Sequence, residues 1–72
     1  MTLSDGIIGV EYRVEALNME VKTMRRLESM GINEKTPIKI LNKKNSGVII
    51  IMVRGTRLAI GKDIAGGIKV YE

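Results

Sequence analysis

Between Val10 and Leu17 apolar and polar residues alternate. Val10, Tyr12, Val14 and Ala16 fall on one face, and Glu11, Arg13 and Glu15 on the other. A period of two predicts a half-buried strand, entered from Gly9 and ending near Asn18, where Leu17 has broken the alternation. The stretch EVKTMRRLESMGI then changes character. Met24, Arg25, Arg26, Leu27, Glu28 and Met30 are good helix formers, with Thr23 or Asn18 as the candidate N-cap. If Met30 is the C-cap, Gly31 takes the left-handed position after it, and a Schellman motif brings Leu27 against Ile32. A second strand is expected from Pro37 through Lys44, with Ile38 and Ile40 on one face and Lys39 and Leu41 on the other. Proline lacks an N–H and suits a strand's first position. KNSG, from Lys44 to Gly47, is a turn cluster. VIIIMV, from Val48 to Val53, is a third strand that is apolar on both faces, RLAI a fourth and IKV a fifth. The connector GKDIAGG suits a single turn of 3₁₀ helix.

Strand, helix and four more short strands in one chain point to a mainly β domain spanning residues 1–72. The arrangement expected is a small, closed or nearly closed, five-stranded barrel with one short helix between its first and second strands. Closure protects Val48–Val53, which on an open edge would be an aggregation site. The second face of that strand needs a cover, and the helix bearing Met24 and Leu27 is the expected one.

Composition narrows the chemistry. Cysteine and histidine are both absent, which excludes a disulfide framework, a Cys/His zinc site and any imidazole base. The remaining oxygen ligands, Asp5, Glu11, Glu15, Glu20, Glu28, Glu34, Asp63 and Glu72, are dispersed along the chain. Ferrous and zinc ions prefer some nitrogen or sulfur, so no metal ligands are assigned. No paired acid and base, nucleophile triad or cofactor fingerprint is present, so the chain reads as a non-enzyme. The longest apolar run is Val48–Val53, against about 20 residues for a membrane span. MTLSDG does not begin a signal peptide. A cytoplasmic protein is expected.

A glycine-lysine pair downstream of a greasy strand raises the possibility of a phosphate loop. That motif needs Gly, four residues, then Gly-Lys-Ser/Thr. Here five residues separate Gly55 from Gly61, and Asp63 stands where the hydroxyl belongs. RLAI would extend rather than curl, and Gly66 and Gly67 disfavour a following helix. A hairpin fits better. Gly55 supplies the positive φ of a primed turn, and Arg54 and Arg57 are expected to face each other across its mouth.

The formal charge is +4, which permits nucleic acid or an acidic protein as partner. Small barrels that bind single strands use basic grooves with aromatic stacking platforms. Only Tyr12 and Tyr71 are aromatic here, and Tyr12 lies on an apolar strand face. The same scarcity argues against a polyproline groove. Nucleic acid is therefore the second choice, and a protein-interaction module the first.

MRRLESMGI, IKIL and VRGTRLAIGKDIAGGIKV together resemble the FeoA family, ferrous iron transport protein A. The likeness rests on Leu3, Ser4 and Asp5; Gly9; Arg26, Leu27 and Gly31; Arg54 and Gly55; Leu58 and Ala59; and Ala65, Ile68 and Val70. The sequence departs from the family in having NEKT in place of Pro-Gly after the helix, and KNSG in place of a Pro-Leu-Gly loop. The resemblance implies an SH3-like barrel without catalysis. It also implies a cytosolic accessory that binds and modulates the cytosolic part of a FeoB-type membrane iron transporter. Transition-metal association comes with the resemblance alone. The same fold ends iron-dependent repressors, so a stand-alone regulator domain is an alternative. For the partner contact, Arg25, Arg26, Arg54 and Arg57 are the candidate residues, with Gly31 and Gly55 as structural turns.

Overall fold

A computed structural model describes all 72 residues. Five antiparallel strands, β1 (Glu11–Leu17), β2 (Pro37–Lys43), β3 (Ile49–Val53), β4 (Thr56–Ile60) and β5 (Ile68–Tyr71), form one sheet in the order β4-β3-β2-β1-β5. Helix α1 (Val21–Ser29) lies between β1 and β2 in sequence, as expected. One α-helical turn, α2 (Lys62–Ala65), joins β4 to β5 where a 3₁₀ turn was expected. The sheet curls around Tyr12, Val14, Ile38, Ile40, Ile49, Ile51, Val53, Ile60, Ile68 and Val70, all buried, with Leu27 and Ile32 in the same cluster. Bulges lie between Val14 and Ala16 and between Ile40 and Asn42, which lets so short a sheet bend.

No ladder joins β4 to β5. The outer edge of β5 is covered instead by the N-terminal arm. Thr2 bridges Lys69, and the Val70 N–H donates to the Met1 carbonyl at 2.9 Å. The arm then makes a 3₁₀ turn (Leu3–Asp5) that buries Leu3. Tyr12 belongs to the core, and its phenol oxygen accepts the Ile7 N–H at 2.9 Å.

The Schellman end of α1 is present. Ile32 N–H donates to the Leu27 carbonyl and Gly31 N–H to that of Glu28, each at 3.0 Å, and Gly31 has φ 91°. Leu27 and Ile32 are both buried. At the other end the N-cap is Glu20, not Thr23 or Asn18. The Thr23 hydroxyl turns back to the Glu20 carboxylate at 3.4 Å, and Met24 N–H donates to the Glu20 carbonyl.

The β3–β4 hairpin closes on the Val53–Thr56 pair. Its two turn residues are Arg54 (φ 51°) and Gly55 (φ 79°), the two positive φ values of a type I′ turn. The turn matches the twist of the strands it joins. A β-branched residue at position 55 opposes it, so Gly55→Val is expected to destabilise the fold by about 1–3 kcal/mol. Unaltered thermal unfolding of that variant would overturn the turn's role.

Candidate partner-binding surface

The alternation that buries Ile49, Ile51 and Val53 sends Ile50 and Met52 to the outside of the sheet, where both stay half-buried. Helix α1 does not cover Ile50, contrary to expectation. Leu27 enters the inner cluster instead, and Ile50 lines an open cleft of about 410 Å³ with Leu41, Asn42, Lys44 and Arg57. The Schellman bond explains the difference, because it ties α1 through Ile32 to the interior rather than to the sheet's outer face.

The ladders set the order of side chains across this face. Met52 pairs with Lys39 on one side and Arg57 on the other, while Ile50 pairs with Asn42 and Ala59. An apolar strip, Ile50 and Met52 with Leu41 beside them, is thus bordered by Lys39, Lys44 and Arg57. The arrangement suits an acidic segment with an apolar side chain of its own.

The sequence-derived arginines are distributed unevenly around this strip. Arg57 belongs to it. Arg54 does not oppose Arg57, because Arg54 is itself a turn residue and Arg57 pairs with Met52. The expected like-charge repulsion across the hairpin mouth therefore does not arise. The Arg54 side chain instead lies over Gly31, where its Nε donates to the Gly31 carbonyl at 3.3 Å. That contact places the hairpin tip against the end of α1. Arg25 and Arg26 are exposed on α1, with Arg26 in its last turn, a favourable place for a cation. Lys39, Lys44 and the apolar strip, which the structure sets beside Arg57, are not among the sequence-derived candidates. Their signal was available in the doubly apolar Val48–Val53 run combined with strand register.

The glycine-lysine segment is no phosphate loop. Arg57–Ile60 is extended in β4, and Gly61 opens only the short α2. No three acidic side chains gather where a metal ion could be held. With neither His nor Cys in the chain, the donor set does not fit a bound transition metal, and no step is assigned to one. No helix is long and apolar enough to cross a membrane.

Compared with known protein families, residues 1–72 match the model of the FeoA domain. The chain belongs to the FeoA family. A Methanocaldococcus jannaschii relative, named "Putative Fe(2+) transport protein A", is 37% identical over 64 residues, covering 89% of this chain and 77% of the relative. The crystal structure of an iron uptake regulatory protein, also FeoA, superposes with a TM-score of 0.86 at 34% identity. It covers 97% of this chain and 92% of that one. The FeoA fold extends to a manganese-dependent transcriptional repressor, with a TM-score of 0.91 at 19% identity. There the match covers all of this chain but 41% of the repressor, and it speaks for the fold alone.

Proposed function

We propose that this FeoA chain is a non-enzymatic, cytoplasmic accessory of ferrous iron transport that binds the cytosolic part of a FeoB-type transporter and modulates it. One observation carries the choice of surface. Ile50, on the same outward face as the half-buried Met52, lines an open cleft together with Lys44 and Arg57. Family membership supports the iron-transport assignment. Arg54 and Arg57 both lie at the tip of one hairpin, Arg54 in the turn and Arg57 one pair beyond its closing pair, and Arg25 and Arg26 add exposed cations on α1.

The test is binding of the purified transporter's cytosolic domain, measured by calorimetry together with thermal unfolding of each variant. Charge reversal of Arg57 and Arg54 to Glu, and separately of Arg25 and Arg26, is expected to weaken binding at least about tenfold. The unfolding midpoint should stay within a few degrees, because all four side chains are exposed. Ile50→Ser should weaken binding similarly. Reversals that lower the midpoint while leaving affinity per folded molecule unchanged would overturn the assignment. A second reading, a stand-alone SH3-like domain of an iron-dependent regulator, rests on the shared fold alone. Retention of a DNA-binding protein instead of the transporter in a native pull-down would favour it.

A further inference from the structure

A second surface, which meets the outer sheet face at Lys44, pairs exposed aliphatic side chains with a lysine-lined cavity. Ile7 and Ile8 are 63% and 52% exposed. They are not on a loose loop. Ile7 N–H donates to the Tyr12 phenol oxygen at 2.9 Å, Val10 N–H to the Ile7 carbonyl at 3.1 Å and Gly9 N–H to the Ile40 carbonyl at 2.7 Å. The backbone is pinned to the core while two large apolar side chains are held in water.

Close by lies a cavity of about 170 Å³ lined by Ser4, Lys43, Lys44, Gly47, Ile49 and Lys62. Ser4 is three residues from Ile7, so their Cα atoms are within roughly 10 Å. The Ser4 carbonyl accepts the Lys43 Nζ at 2.8 Å, fixing one ammonium at the rim. Lys62 is held as well. A Cβ on Gly47 would stand 2.9 Å from its stem, so the Lys62 chain lies directly along the β2–β3 turn. No carboxylate lines the cavity. Of the nearest acids, Asp5 is ionised: the Thr2 N–H and hydroxyl, with smaller help from the N-terminus and Lys43, hold its carboxyl below the usual aspartate range, so it offsets part of the Lys43 charge and leaves that of Lys44 and Lys62. Asp63 follows Lys62 without lining the cavity, and Glu11 is in register with Lys39.

We propose that this end of the molecule docks on an anionic lipid bilayer, with Ile7 and Ile8 entering the acyl boundary and Lys43, Lys44 and Lys62 meeting lipid phosphates. A protruding turn needs a matching socket on a protein partner, whereas a fluid acyl layer conforms to it. The bordering lysines complement a negative leaflet. Neither signal suffices alone, and reversible attachment takes both.

The experiment uses the full chain with vesicles of phosphatidylglycerol and phosphatidylcholine in equal parts, with pure phosphatidylcholine vesicles, and with inorganic phosphate alone. Co-sedimentation is expected with the anionic vesicles only, weakening as salt is raised. Ile7→Ser with Ile8→Ser should lower that affinity at least about tenfold, and Lys44→Gln and Lys62→Gln about fivefold each. Lys22→Gln and Lys35→Gln, elsewhere on the surface, should change it by less than about twofold. Spin-labelled lipid should broaden the wild-type amides of Ile7 to Gly9 first, a readout that needs no variant. Five outcomes would overturn the proposal. These are equal binding to neutral vesicles, broadening centred elsewhere, equal losses from the control lysines, phosphate filling the cavity without vesicle binding, and self-association through Ile7 and Ile8.

Discussion

Ile40→Ala should lower stability by about 3–4 kcal/mol, the upper part of the range for emptying a fully buried aliphatic site. Ile40 lies on the central strand β2, is fully buried and pairs with Ile51. A chain of this length has roughly 4–11 kcal/mol in total, so the unfolding midpoint should fall by about 15–25 °C. The site also makes a sharper test possible. The Ile40 Cδ1 and Tyr12 Cε2 occupy the space that a Cβ on Gly6 would need, the first in outright overlap and the second at 3.0 Å. Gly6→Ala is therefore expected to be strongly destabilising, because neither buried neighbour can retreat. Ile40→Val removes that Cδ1 and costs about 1 kcal/mol alone. Combined, the two substitutions should be more stable than their sum by at least about 1 kcal/mol, measured as a double-mutant cycle in denaturant. Strict additivity would show that the arm does not pack on β2 as described.

Gly67→Ala is expected to cost about 2–3 kcal/mol while its neighbour Gly66→Ala costs nothing. A Cβ at position 67 would stand 2.6 Å from the Asn18 carbonyl oxygen and 3.3 Å from the Met19 methyl. The first is backbone at the end of β1, where Asn18 N–H donates to the Gly67 carbonyl at 2.7 Å. Relief of the clash thus stretches a hydrogen bond that enters the β1–β5 pairing. At Gly66 the nearest atoms lie at 3.6 Å and φ is −68°. Alanine fits there and reduces the freedom of the unfolded chain. Parallel thermal melts of the two variants decide the matter, and equal midpoints would contradict the close approach.

Much of the fold was legible because local rules and burial agree. Alternation from Val10 to Ala16 reports the core face of β1, and Gly31 after Met30 reports the helix end with its Leu27–Ile32 contact. The failures have physical causes. Glu20 caps α1 through its backbone alone, and side-chain propensity is blind to that. The type I′ turn moves Arg54 into the loop and shifts every pairing beyond it, so a charge pair inferred from spacing disappears. The arm's contact with β5 joins residues at opposite ends of the chain, beyond the reach of any local pattern. The site was half visible: its arginines could be named, but their division between the sheet face and the helix end depends on register.

The bond from Val70 to the Met1 carbonyl sets the N-terminal arm and the last strand side by side. A fusion or fluorophore added at either one starts from the same locality, so swapping it between ends changes what is attached far more than where. A short bridge between residues 1 and 70 would therefore span little distance, and joining them there leaves the point at which the domain is cut open a matter of choice.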